Sequence, residues 1–162
     1  MKALVVYESY FGNTEKIALA VRDALAPRFE VEAMKASDAR PGDLEGLGLL
    51  VVGSPTRAFR PVGPVLDFLK SIPRGSLDGV AVAAFDTRAA EADQRSRMLR
   101  WMMRTFGYAA GPLAKKLKRK GGIQAAAPAG FVVRDTEGPL AGDEPRRAAE
   151  WAEGMLADRP GR

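Results

Sequence analysis

Two rhythms of apolar residues alternate along this chain. Short runs, several nearly continuous, are bounded by Gly, Pro, Ser or Asp and read as strands: Lys2–Tyr7, Glu30–Lys35, Leu47–Gly53, Gly79–Phe85 and Ile123–Ala127. The third and fourth are apolar throughout, as central parallel strands covered on both faces should be. Between them the apolar positions recur every three or four residues and predict helices over Thr14–Ala26, Val62–Ser71, Asp93–Phe106, Pro112–Lys120 and Asp143–Ala157. In the last of these, Asp143 stands as a cap with Pro145 in the first turn, and Ala148, Trp151, Ala152 and Met155 form one stripe.

Strand–helix alternation from end to end implies an α/β doubly wound three-layer sandwich, because right-handed crossovers place helices on both faces of a parallel sheet. Five strands suit the order 2-1-3-4-5, whose ligand crevice lies at the carboxyl ends of strands one and three. The loops after Tyr7, Gly53 and Phe85 should therefore carry the chemistry. Neither an internal repeat nor a linker-like shift divides the chain, so residues 1–157 are expected to form a single domain and 158–162 a frayed tail. Pro128-Ala129-Gly130 interrupts the fifth strand and predicts a bend or short insertion there.

Composition narrows the chemistry further. With no cysteine and no histidine, thiolate chemistry, disulfides, Ser-His-Asp catalysis and a His-rich zinc site are excluded, so redox chemistry must come from a borrowed cofactor. No apolar run approaches the roughly 20 residues of a membrane span. Lys2 leads directly into a strand without a signal-peptide pattern, and the expected compartment is the cytoplasm. The net charge is +5. Its basic run, Lys115 to Lys120, has no interleaved aromatics and matches no nucleic-acid-binding module, so it reads as a solvated helix end suited to the dipole. A basic surface still favours acidic proteins or peripheral contact with anionic surfaces, by steering.

The sharpest motif follows the first strand: Tyr7-x-Ser9-Tyr10-Phe11-Gly12-Asn13-Thr14 runs straight into a helix. Such a loop aims several backbone N–H groups and the positive end of a helix dipole at one point, which makes an anion site. It contains no Lys or Arg, so an anion there would be held by neutral donors. A plain turn capped by Asn13 or Thr14 accounts for the same residues. Neither G-x-x-x-x-G-K-[ST] nor G-x-G-x-x-G is present, which argues against a Walker-type NTPase and a dinucleotide fingerprint.

The pattern aromatic-x-Ser-x-x-Gly-Asn-Thr-x-x-x-Ala closely resembles the phosphate loop of the flavodoxin-like family. The resemblance implies that Ser9, Tyr10, Phe11, Gly12, Asn13 and Thr14 hold the terminal phosphate of FMN. After the third strand, Gly53-Ser54-Pro55-Thr56-Arg57-Ala58-Phe59 is similar to the family's Gly-x-Pro-Thr followed by an aromatic that contacts the isoalloxazine. It implies Ser54, Pro55, Thr56, Arg57 and Phe59 on one side of the ring, although Phe59 would serve equally as cover for the next helix. Asp86, Thr87 and Arg88 would form the other side. There the segment Thr87–Asp93 has no aromatic, a departure from the family, and Trp101, Phe106 and Tyr108 are the nearest substitutes. Met98, Leu99, Met102, Met103 and Phe106 recur at helical spacing, so their helix packs on the core or lies over the flavin as a lid. The ending from Phe131 to Trp151 resembles that of small bacterial flavodoxin-domain proteins and reads as scaffold.

The function implied is electron transfer, or a small flavin-dependent oxidoreductase of the quinone or protoporphyrinogen type. The partner would be a redox protein or a small-molecule acceptor. Arg57, Arg60 and Arg88 around the ring would stabilise an anionic reduced flavin and raise its potential. The alternative is a domain of this fold that has lost FMN and acts as an interaction module. A receiver domain of the same topology needs an acidic cluster after the first strand, which Glu8 alone does not supply.

Overall fold

The computed structural model describes residues 1–90 and 95–157. Six strands make one parallel sheet: β1 Lys2–Tyr7, β2 Glu30–Lys35, β3 Leu47–Pro55, β4 Ala81–Ala89, β5 Ile123–Gln124 and β6 Ala129–Val133. Its order is β2-β1-β3-β4-β5, with β6 also on β4. The helices are α1 Asn13–Leu25, α2 Gly63–Ser71, α3 Arg97–Phe106, α4 Ala110–Arg119 and α5 Glu144–Ala157, and a 3-10 turn spans Pro41–Leu44. This is the flavodoxin-like α/β architecture expected from the alternation. The Asp93 start expected for the third helix, and the 158–162 tail, lie outside the described residues.

Alternation of side chains along each strand divides the core in two. Leu4, Val6, Leu50, Val52, Val82 and Ala84 face α2 and α4, packing on Val65, Phe68, Leu69, Leu113 and Leu117. Val5, Tyr7, Leu49, Val51, Ala83 and Phe85 face α1 and α5, packing on Ile17, Val21, Leu25, Ala148, Ala152 and Met155. Phe85, Phe131 and Trp151 interlock edge to face, with ring centroids 6.0–6.2 Å apart. The Trp151 indole N–H donates to Ala127 O at 3.0 Å.

The fifth strand position departs from expectation in an informative way. Instead of one run, Ile123–Ala127, two short strands share the β4 edge. β5 pairs with Ala81 and Val82, whereas β6 pairs with Phe85 through Ala89. Pro128 cannot donate to the ladder, so the edge breaks just before β6 and resumes at Ala129. That second segment extends β4 to Ala89. Asp86, Thr87 and Arg88, expected in a loop, are therefore strand residues in register with Gly130, Phe131 and Val132. Ser54 and Pro55 belong to β3 likewise, paired with Asp86 and Thr87.

Candidate functional site

A cavity of about 600 Å³ opens at the carboxyl ends of β1, β3 and β4. Its walls come from the loop before α1, from the end of β3, from Thr87–Ala89, from the start of α3 and from the segment after β6. Of the residues singled out in the sequence, Ser9, Tyr10, Phe11, Asn13, Thr14, Pro55, Thr56, Arg57, Thr87 and Arg88 line it. Gly12, Ser54, Phe59 and Asp86 do not.

The first loop is built around Gly12. Its φ of 86° is left-handed, a region glycine enters without strain, and this turns the chain from β1 into α1. The Gly12 N–H donates to Ser9 Oγ at 3.1 Å, and the Ser9 N–H donates to Glu8 Oε1 at 3.3 Å. Those two amides are engaged within the loop. Gly12 is also the residue that caps α1, and it supplies no side-chain cap, contrary to a turn capped by Asn13 or Thr14. The amides at the start of α1 have no acceptor one turn earlier in the helix, so the dipole's positive end faces the cavity uncapped by any side chain.

Asn13 and Thr14 connect this loop to two other walls. Asn13 Nδ2 donates to Glu137 O at 3.0 Å. The Thr14 and Thr87 hydroxyls lie 2.8 Å apart and buried, so one donates to the other. In such a pair one O–H is used between the two threonines, and the remaining one is available to an acceptor in the cavity.

The second wall differs from its expectation. Ser54 is fully buried; its Oγ accepts from Val62 N at 3.0 Å and donates to Pro55 O at 2.8 Å, which holds the β3–α2 connection. Thr56 N donates to Thr87 O at 2.9 Å, and Thr56 Oγ1 accepts from Ala109 N at 3.1 Å. Arg57 and Arg60 exchange both backbone hydrogen bonds at 2.9 Å, which makes Ala58 and Phe59 the centre of a two-residue turn. Their φ values, 47° and 64°, are left-handed for two non-glycine residues where Asn-Gly is the favoured pair. This turn carries Phe59 off the cavity lining and leaves Arg57 on it. The Arg57 guanidinium sits 5.1 Å from the Tyr10 ring centre and 5.4 Å from that of Phe11, a cation–π clasp across the rim. Arg60 faces a neighbouring shallow depression that shares Tyr10 and Arg57.

On the third wall, strand alternation sends Asp86 and Arg88 to one face and Thr87 to the other. Asp86 is fully buried and accepts from Arg88 Nε and NH2, both at 2.6 Å, and from Ala110 N at 2.9 Å. Burial pushes its carboxyl above the ordinary range, while the Arg88 fork and the Ala110 amide pull it back. Arg88 lies 3.7 Å from the Tyr108 ring centre, and its Cζ is 2.1 Å from where a Cβ on Gly130 would stand. Only glycine admits the guanidinium there. Tyr108 thus packs on an arginine, Trp101 is exposed, and Leu99 is the residue of α3 that reaches the cavity together with Arg95 and Ser96 at its start. The side chain of Phe106 lies outside what is described.

Sequence reasoning missed Arg95, Ser96 and the whole segment Val133–Thr136, all of which line the cavity. The ending of the chain, read as scaffold, supplies a wall. The available signal was the β6 break: a strand resuming after Pro128 must end near the crevice, at the same height as β3 and β4.

No family model matches the sequence, and no curated protein matches it. Solved structures do share the fold. A flavodoxin from the domain Archaea superposes with a TM-score of 0.72 at 21% identity, covering 97% of each chain. Flavodoxin 2 from Bacillus cereus gives 0.77 at 19% identity, covering 98% of this chain and 100% of the other. Rubredoxin oxygen:oxidoreductase from Desulfovibrio gigas gives 0.73 at 18% identity, with 96% of this chain matched to 35% of that larger protein.

Proposed function

We propose that the chain is an FMN-binding flavoprotein working in electron transfer, as a carrier or as a small flavin-dependent oxidoreductase. One observation carries this reading: the uncapped start of α1 opens, with the Ser9 and Thr14 hydroxyls, into a cavity large enough for a cofactor at the crevice of a flavodoxin-like sheet. The donor set suits a phosphate dianion held without a cation. The amides of Tyr10, Phe11, Asn13 and Thr14 and the Thr14–Thr87 hydroxyl pair would hold it, Gly12 and Ser9 keeping the loop in shape.

A bound flavin supplies the redox chemistry through its ring. The protein's part is to place that ring between Pro55–Arg57 and the Thr87–Ala89 strand end, and to set the surrounding charge. Here the structure alters the electrostatic expectation. Arg88 is compensated by Asp86, and Arg60 faces elsewhere, whereas Arg57, Arg95 and Arg134 line the cavity. Those three cations, set against the carboxylate of Asp135, support an anionic reduced ring and a raised potential.

The test is a visible spectrum of the purified protein, then titration of the apoprotein with FMN followed by flavin fluorescence. Quenching that saturates at one flavin per chain supports the reading; unquenched flavin through the titration rejects it. A reading as an interaction module without FMN draws on the missing ring-facing aromatic on this wall, where Arg88 and Ala89 of β4 and Leu99 of α3 stand instead.

A further inference from the structure

A second cavity, of about 220 Å³, opens between α2 and α4. Both helices end beside it and lead on to the starts of β4 and β5, so it lies away from the crevice at the strands' carboxyl ends. Five cations line it: Lys70, Arg74, Lys116, Arg119 and Lys120. Half-buried Leu66 and buried Leu69 complete the lining, and among the described residues no carboxylate joins them. Helix α4 contains no acidic residue, and neither Asp67 of α2 nor Asp78 in the following turn reaches the cavity. None of the five cations forms an ion pair among the described residues.

Helix carboxyl ends attract cations, but that accounts for little of this cluster. Each end carries roughly half a negative charge, so the two together offset about one of the five positive charges. Lys116, Arg119 and Lys120 stand three and four residues apart and repel one another. Nor are all these side chains solvated freely, since Lys116 and Lys120 are half-buried. Lys120, the cap of α4, donates from Nζ at 2.6 Å to the carbonyl of Ile72, the cap of α2. Its own carbonyl accepts from Leu77 N at 3.1 Å. One ammonium is thus fixed across the gap between the helices, with two of its three N–H donors left for a ligand. Arg74 and Arg119 are exposed, and each offers a planar fork of donors that matches an oxyanion.

We propose that this cavity binds a compact polyanion, the di- or triphosphate group of an inorganic polyphosphate or of a nucleotide. Its volume is below the roughly 300–1,000 Å³ of pockets that enclose a drug-sized ligand, so the charged group fits and an attached nucleoside stays outside. A surplus of about four positive charges suits a triphosphate better than a single phosphate. The site goes beyond the flavin reading and does not rest on it.

The experiment titrates the full chain with inorganic tripolyphosphate in a calorimeter, at physiological ionic strength and then at higher salt. Binding should saturate and weaken as salt rises. Arg74→Gln/Arg119→Gln should weaken it about tenfold or more, as loss of charge-assisted hydrogen bonds requires, with the thermal midpoint and FMN titration unchanged. Lys115→Gln/Lys118→Gln removes the same charge from α4 outside the cavity and should leave affinity nearly unchanged. Equal losses in the two double variants, or none in the first, overturn the proposal. So does the absence of saturable binding, and so does tighter binding of citrate. ATP bound as tightly as tripolyphosphate supports the site as one for a nucleotide's tail; ATP rejected where tripolyphosphate binds supports it as one for the free ion. Tripolyphosphate binding by a chain that takes no FMN would reject the flavin reading and leave this site standing, and FMN uptake without it would do the reverse.

Discussion

The two ends of the cavity solve the problem of holding a charged ligand in opposite ways. At the α1 end the donors are neutral, buried or half-buried, and tied to one another: Ser9 to Gly12, Thr14 to Thr87, Asn13 to the backbone of Glu137. At the other end, around the mouth, they are cationic and exposed: Arg57 on the Tyr10 and Phe11 rings, Arg95 before α3 and Arg134 after β6, whereas Arg88 is immobilised by Asp86, Tyr108 and Gly130. Buried neutral donors bind an anion through fixed geometry and respond little to salt. Exposed arginines act through the field over the mouth, which salt screens. The first end thus suits recognition of one group, the second the choice of who approaches.

The comparison breaks most readily at Arg88. Arg88→Met leaves the Asp86 carboxyl buried without its partner, and unfolding in denaturant should show a loss of about 3–5 kcal/mol. Asp86→Asn in the same chain should restore much of it; a double variant as unstable as the single one would mean that Arg88 acts through packing on Tyr108.

At the neutral end, Thr14→Val should weaken FMN by about 1.5–3 kcal/mol in calorimetric titration, as loss of a hydrogen bond to a charged group requires. Affinity equal to the parent's would place the phosphate elsewhere. The Ala58–Phe59 turn gives a smaller handle. Ala58 is exposed at φ 47°, so Ala58→Asn should stabilise the fold by up to about 1 kcal/mol, read from the denaturation midpoint.

Least in size is an effect of pH beneath the third wall. Glu144 accepts from Arg147, and from Val132 N at 2.7 Å, which ties α5 to β6 just before the cavity-lining segment. Arg147 first, and the Val132 amide after it, hold its carboxyl below the ordinary range against the opposing effect of burial. A lowered folded value means that this contribution is present above the ordinary carboxylate range and is lost as pH falls through the folded value. Glu144→Gln should therefore flatten the acid side of the stability profile and leave its slope near neutrality unchanged.

Much of the architecture was legible in the residues. The boundaries of β1 and β2 coincide with their apolar runs, and the starts and ends of α1, α2 and α5 fall within a residue of expectation. The first loop was legible too, since its donors are local in sequence and its turn needs the left-handed glycine that stands there. The ends of β3 and β4 were not. Ser54, Pro55, Asp86 and Thr87 look like turn residues, yet they pair with one another across β3 and β4, and Asp86 and Thr87 also pair with β6 partners 44 positions away, resumed after the Pro128 break. Phe59 was the obvious aromatic for the second wall, but the two-residue turn between Arg57 and Arg60 aims it elsewhere.

From its residues alone the chain determines a doubly wound parallel sheet, a neutral first loop and the absence of thiol and imidazole chemistry, because periodicity, a short motif and composition are all local properties. Tertiary structure alone decides which of its arginines carry an uncompensated charge into the cavity, and that the segment after β6 forms a wall. Charge compensation and side-chain direction depend on partners far along the chain, and strand alternation sends Asp86 and Thr87 to opposite faces only because β3 and β6 pair with β4 on either side of them.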